Sequence, residues 1–333
     1  MSLTSIVPKG PAGRLALLFV AIIVMGAGFY SFSDYAQKQK TIDEIDSLWQ
    51  QADDFRDQND FGQAIDTYNS VFGMISSNEY PAEYGLNHYH RGRTYYEMSF
   101  HDNASVNLKN SLSAYDQALV FFDSKNNPEE YALIHYGVGD SYLRLYAVRD
   151  QDDDLKNAIG AYDTSLEYYS IASNPLYFAS INNKLGNAYR KRGNSKNNSA
   201  DLFKAIEFYG ESLRVFREDV YPVEYAGVQN NLGNVYLELS EFGDAEENIS
   251  NAIISFNNAL EVFTIDSRPM EYATAKNNLG NAYFEMSTIE EKEQNIEKAV
   301  SCYHEALRIF TVDRFPAEHD GVIKNIARAY KSL

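Results

Sequence analysis

Residues 222–239 read PVEYAGVQNNLGNVYLEL, and residues 269–286, which begin 47 positions later, read PMEYATAKNNLGNAYFEM. In the first stretch Tyr225, Val228, Leu232 and Tyr236 recur at intervals of three and four. That spacing gathers them on one apolar face of a helix. The opening proline suits a first helical turn, where its missing N–H costs nothing. Working outward, Pro81, Pro128, Pro175, Pro222, Pro269 and Pro316 all lie 47 residues apart. Eleven residues after each proline stand Gly92, Gly139, Gly186, Gly233, Gly280 and then Ala327. Thirty-four after come Tyr115, Tyr162, Tyr209, Phe256 and Tyr303, and thirty-eight after come Leu119, Leu166, Leu213, Leu260 and Leu307. A period of this size marks a solenoid, in which each unit buries its apolar face against its neighbours.

Each period contains two apolar-periodic stretches, the second exemplified by NIEKAVSCYHEALRIF at 295–310. A polar segment such as Arg192–Asn198 separates them and is expected as the turn. The in-register glycine costs about 1 kcal/mol relative to alanine inside a helix. Close approach of a neighbouring helix is the expected compensation.

NNLGNAY at 277–283 and KAIEFY at 204–209 resemble the tetratricopeptide repeat. The family's small, aromatic and Ala-Leu positions correspond to Gly186, Tyr189, Ala205, Tyr209 and Ser212-Leu213. The resemblance covers about residues 41–333, with a period of 47 where 34 is usual. Part of the extra length is expected between the two helices and most of the rest in the second helix. Ala52, Phe55, Ala64 and Tyr68 follow the shorter spacing and read as an atypical first repeat. The resemblance implies an all-α, right-handed α-solenoid of antiparallel helix pairs, preceded by one transmembrane helix. The expected organisation is a flexible tail (1–14), a span (15–32), a juxtamembrane helix and first repeat (33–77), five repeats (78–312) and a C-terminal capping helix (313–333).

The span is LALLFVAIIVMGAGFYSF at 15–32, uncharged and preceded by Lys9 and Arg14. A membrane core needs about 20 apolar residues, with shorter spans tolerated. A cleaved signal peptide competes with the anchor, with Gly26-Ala27-Gly28 as an indifferent cleavage site. The balance of Lys9 and Arg14 against Lys38 and Lys40 leans towards repeats outside the cytoplasm on a single-pass anchor. The sequons at Asn103, Asn197 and Asn248 agree but carry little weight in so Asn-rich a chain.

The net charge of −18 disfavours nucleic acid as a partner. Cys302, the only cysteine, makes neither a disulfide nor a Cys-based metal site. His88, His90, His101, His135, His304 and His319 are scattered, and no phosphate loop or catalytic triad pattern appears, so neither enzyme chemistry nor a cofactor is expected. The acidic run Asp150–Asp154 lacks a calcium loop's central glycine and distal Glu, and reads as a helix N-terminus.

In the architecture the resemblance implies, first helices line a concave groove. Positions eight and twelve after each proline share a helix face. They carry Asn183/Asn187, Asn230/Asn234 and Asn277/Asn281, flanked by Asn231 and Asn278. A primary amide both donates and accepts, which suits the backbone of an extended peptide. The competing reading has these amides bonding neighbouring helices and setting the superhelix curvature. Lys184, Arg190, Lys191 and Arg192, with Arg144 and Arg93 at matching columns, suggest a positive strip for an acidic peptide or a C-terminal carboxylate. The competing reading is a solvated helix end, since Arg190–Lys196 forms a last turn and loop where cations suit the helix dipole. Tyr89, Tyr96 and Tyr136 are expected to face the groove. The expected partners are therefore a protein or peptide and the membrane. The alternative function is self-association into a surface layer, suggested by Ile323, Ile326 and Tyr330 on the last helix.

Overall fold

In the computed structural model the periodic prolines open helices. Described are the backbone of residues 11–333 and the side chains from residue 34 onward. The helices are α1 (Pro11–Asp57), α2 (Phe61–Met74), α3 (Pro81–Met98), α4 (Ala104–Ala118), α5 (Pro128–Arg149), α6 (Asp152–Leu166), α7 (Pro175–Lys196), α8 (Ser199–Leu213), α9 (Pro222–Leu239), α10 (Ala245–Val262), α11 (Pro269–Met286), α12 (Lys292–Leu307) and α13 (Pro316–Ser332). The expected span at 15–32 lies outside the residues whose side chains are described. Among the residues whose side chains are described, no helix is long and apolar enough to cross a membrane.

Consecutive helices pair from α1·α2 to α11·α12, and α13 closes the series. Odd-numbered helices also touch the odd-numbered helices before and after them; even-numbered helices touch only odd-numbered ones. The odd helices therefore form one continuous layer and the even helices a second. The core lies between the layers, around buried Tyr68, Tyr115, Tyr162, Tyr209, Phe256 and Tyr303.

The glycine column and the aromatic column explain each other. A Cβ built on Gly92, Gly139, Gly186, Gly233 or Gly280 would lie 2.7, 2.5, 2.5, 2.6 or 2.6 Å from the ring of Tyr115, Tyr162, Tyr209, Phe256 or Tyr303. Each pair belongs to one repeat, so the expected close approach is a ring of the second helix lying flat on the first. In α13 the position is Ala327.

The hairpins close by a device absent from the sequence reading. Asn103, Asp150, Asn197, Asp244 and Glu291 all adopt positive φ, between 42° and 51°, and stand 47 residues apart. Asn and Asp tolerate this left-handed conformation better than other side chains. Four residues further on, Asn107, Asn248 and Asn295 donate to the carbonyls of Asp102, Gly243 and Glu290 at 2.6, 2.9 and 2.9 Å. The remaining two repeats use a carboxylate instead: Asp154 accepts both Arg149 nitrogens at 2.6 and 2.5 Å, and Asp201 accepts both of Arg192 at 2.8 and 2.7 Å.

Two expectations about length are corrected. The expected turn Arg192–Asn198 is helical as far as Lys196, because α7 runs 22 residues. The residues expected to lengthen the second helix do not do so in α8, which stops at Leu213 with 214–221 as a non-helical connection to α9, whereas α10 runs 18 residues to Val262. There Phe216 is buried and meets Tyr221 at 5.8 Å between ring centroids, so the connection adds apolar packing between repeats.

Candidate functional site

The inner face of the odd helices carries the expected amides, and it ties them into a ladder. Asn231 of α9 donates its Nδ2 to Asn183 Oδ1 of α7 at 3.2 Å. Asn278 of α11 does the same to Asn230 at 3.2 Å, and Asn325 of α13 to Asn277 at 3.1 Å. A second set engages the position twelve after the proline. Asn187 Oδ1 accepts from the Tyr209 hydroxyl at 2.8 Å, and Asn281 Oδ1 accepts from Tyr303 at 2.9 Å and from Asn325 at 3.1 Å. Asn234 has no such partner, since its repeat carries Phe256 where the others carry tyrosine.

The amides are thus half committed. Asn183, Asn230 and Asn277 use their oxygens and keep their NH2 groups unspent among the described residues; Asn231 and Asn278 do the reverse. All eight are half-buried. None of their polar atoms is both buried and unpartnered, so the unspent groups reach solvent. Both readings of these residues, curvature bonds and ligand contacts, are physically compatible.

The positive strip is partly neutralised. Lys184 Nζ lies 3.0 Å from Asp140 Oδ1. Burial alone would lower the pKa of this ammonium, but Asp140 overrides it and the net shift is upward. Arg190 pairs with Glu238 at 2.6 Å. Burial nonetheless pushes the Glu238 carboxyl up, and its Oε2 has no partner. Arg144 spends its guanidinium on Ser99 at 2.7 and 2.8 Å and covers the Phe100 ring, 3.4 Å from its centroid. Arg93 pairs with Glu97 at 3.2 Å, and Arg192 with Asp201 in the hairpin. Lys184 and Arg190 therefore stand on the inner face as members of ion pairs that join successive repeats. These pairs reduce the expected attraction for an acidic peptide, while Arg144, bonded to neutral Ser99, and Lys191 have no ion pair among the described residues.

Two cavities open on this face. One, of about 350 Å³, lies among α3, α5 and the start of α7 and is lined by Tyr89, Tyr96, Tyr115, Tyr136, Tyr177 and Arg93, among others. The expected groove tyrosines are all in it. The other, of about 340 Å³, lies among α9, α11 and α13 and contains Asn234, Asn281, Asn325, Glu238, Glu285 and Arg328. Both volumes fall in the range of small-ligand and side-chain sites. Arg328 approaches Glu285 at 3.6 Å and stacks over Phe284 at 4.1 Å. Missing from the sequence reading were Asn325 and the carboxylates Glu238 and Glu285, although Asn325 stands at the register of Asn231 and Asn278.

Comparison with known proteins agrees with this architecture. No curated protein matches the sequence. The crystal structure of BtubC (BKLC) from P. vanneervenii is similar, at 18% identity and a TM-score of 0.53, over 75% of this chain and 88% of that one. The C-terminal part of a TPR repeat-containing protein from Cytophaga hutchinsonii aligns at 14% identity and a TM-score of 0.49, over 86% and 99% of the two chains. The TPR2AB-domain:pHSP90-complex of yeast Sti1 aligns at 15% identity and a TM-score of 0.30, over 86% and 98%. At these identities the first likeness shows the fold alone, and the other two carry no argument. The family model described as Tetratricopeptide repeat matches residues 273–308, which span most of α11 and all of α12, so the helix pair α11·α12 is a repeat of the tetratricopeptide type.

Proposed function

We propose that the chain is a scaffold that holds an extended polypeptide along the inner face of its odd helices, tethered to a membrane by residues 15–32. The observation that carries the reading is the half-committed amide row. Asn183, Asn230 and Asn277 present unspent NH2 groups, and Asn231 and Asn278 unspent oxygens, at the interval of one repeat. An extended backbone needs both donors and acceptors and supplies both. The ladder bonds fix the orientation of each amide before a ligand arrives, which lowers the entropy cost of binding.

Asn234→Ala is the cleanest test, because Asn234 supports no ladder bond. A photo-crosslinking residue placed at Asn187 on the full-length protein in native membranes should trap a polypeptide, and one at exposed Lys204 on α8 should not. Asn234→Ala should weaken that trapping severalfold with helicity and melting unchanged. Equal trapping from both positions, or trapping indifferent to Asn234, removes the groove as the site. For the tether, alkaline carbonate extraction should leave the chain in the membrane pellet, and deletion of 15–32 should release it.

A second reading, self-association, is favoured by α13. Ile323, Tyr330 and Leu333 are 44%, 56% and 61% exposed at the end of the stack. Light scattering decides it: a strict monomer at all concentrations rules it out.

A further inference from the structure

The cavity among α3, α5 and α7 exists because two columns of the repeat are broken at the same place. Nine residues after the proline, Lys184, Asn231, Asn278 and Asn325 each reach back to the preceding odd helix. In α5 that position is Gly137. Any side chain there would collide with Tyr115, since its Cβ would lie 2.5 Å from Tyr115 Cζ and 2.6 Å from its hydroxyl oxygen. The rung is missing, and the cavity occupies its place.

Twelve residues after the proline, Asp140, Asn187 and Asn281 accept the hydroxyls of Tyr162, Tyr209 and Tyr303 at 2.6, 2.8 and 2.9 Å. In α3 that position is Arg93, which has no acceptor to offer. Tyr115 is only 2% exposed, and its hydroxyl has no partner among the described residues, unlike those three counterparts. The hydroxyl is not sealed from solvent, and its residue lines the cavity. A ligand entering the cavity replaces water as its partner, and a fixed hydrogen-bond partner favours binding.

The walls name the ligand class. Tyr89, Tyr96, Tyr136 and Tyr177 supply ring surface, with Tyr136 and Tyr177 at 5.9 Å and near-perpendicular. The charged groups cancel: Glu97 is held by Arg93 at 3.2 Å and Arg56 at 3.1 Å, and Asp140 by Lys184 at 3.0 Å. A cation or an anion entering the cavity finds no uncompensated countercharge, whereas a neutral ring finds stacking partners. We propose that this cavity is the anchor pocket for one neutral aromatic side chain with a hydrogen-bonding edge, a tyrosine or tryptophan of the polypeptide held in the groove, whose polar atom pairs with the Tyr115 hydroxyl. The assignment of the ring to a polypeptide rests on the groove reading above.

The test uses the full-length protein and simple probes: N-acetyl-tyrosinamide, with N-acetyl-lysinamide and N-acetyl-glutamate amide as charged controls, followed by saturation-transfer NMR. The tyrosine probe should bind saturably and the charged probes should not. Arg93→Asn gives Tyr115 the acceptor that Tyr209 has in Asn187, and should weaken the tyrosine probe by about three- to tenfold while the fold is kept. Tyr136→Ala should abolish it. Gly137→Asn drives a side chain against Tyr115 and into the cavity, and should also abolish binding; Arg93→Asn keeps the test valid if that variant does not fold. Preference for the lysine or glutamate probe, or tyrosine-probe binding indifferent to Arg93→Asn and Tyr136→Ala, overturns the proposal. If no aromatic probe binds while groove crosslinking persists, the pocket assignment falls and the groove reading stands. If the probe binds and no polypeptide is ever trapped, the groove reading falls, and with it the assignment of the ring to a polypeptide.

Discussion

An alanine Cβ at Gly210 meets nothing within 4 Å, whereas one at Gly186 lies 2.5 Å from the Tyr209 ring. Both residues are helical, so both would gain about 1 kcal/mol of helix propensity on conversion to alanine. At Gly210 that gain is unopposed, and urea denaturation of Gly210→Ala should show a stabilisation of about 0.5–1 kcal/mol. At Gly186 the ring must shift within a filled core and abandon its 2.8 Å bond to Asn187, so Gly186→Ala should lose about 1–3 kcal/mol. If the two substitutions move stability in the same direction, the ring-on-glycine account fails. The period and the glycine column were legible in the sequence because both are fixed by spacing. Close approach was legible as the reason for the glycine, but not the group that approaches, since the ring that forbids a Cβ comes from 23 residues downstream, as Tyr209 does from Gly186. The amides of the candidate site were legible as a row but not as a ladder. The partner of Asn231 is Asn183, 48 residues away, and only the stacking of α9 on α7 brings them together.

At the scale of the hairpin, Asp154 is fully buried and held by the partly exposed Arg149. Arg149→Ala leaves a buried carboxylate without its cation and should cost on the order of 3 kcal/mol. Asp154→Asn should cost much less, because Asn107, Asn248 and Asn295 close the same turn by donating to a carbonyl. Equal losses in the two variants would mean that the turn depends on the ion pair itself. The ion pairs of these cations were not legible in the sequence for a related reason. Arg192 and Arg190 are adjacent to Lys191 in the chain, but their carboxylates lie 9 and 48 residues away. A run of basic residues says nothing about such partners.

Helix α3 carries a second consequence of burial. His88 packs on Phe72 at 4.6 Å, and His90 lies 5.0 Å from Trp49 and stacks on Tyr68 at 5.8 Å. The Nδ1 of each is buried without a partner. Burial, helped by Arg91, pushes His88 down to about 4. Burial also pushes His90 down to about 4, against the pull of Asp53 and with help from Arg56 and Arg93. In the unfolded chain both sit near 6.5. The unfolded state therefore binds more protons between these values, so stability is full above pH 6.5 and falls as pH drops to about 4. Trp49, the only tryptophan, touches His90 and reports the loss by fluorescence. His90→Phe should flatten part of that pH dependence, and an unchanged profile would exclude His90 as its source.

Across the whole molecule, stability should peak in the middle of the stack. A repeat array gains its stability from neighbours, so internal repeats have two and terminal ones have one. The largest continuous core runs from Ala132 of α5 to Leu239 of α9, whereas the core at α1–α3 divides into small clusters around Ile45 and Ala52. At the other end α13 buries only Val322 and Ala329. Hydrogen exchange should therefore be slowest in α7 and α8 and fastest in α2 and α13, with opening energies rising from near zero at the ends to the global value at the centre. Leu185, fully buried in that central core, should cost about 2–5 kcal/mol on conversion to alanine. Ile323, 44% exposed on α13, should cost no more than about 0.5 kcal/mol. A uniform exchange rate along the chain would mean that the stack unfolds as one unit, with interfaces strong enough to hide the difference between its ends and its middle.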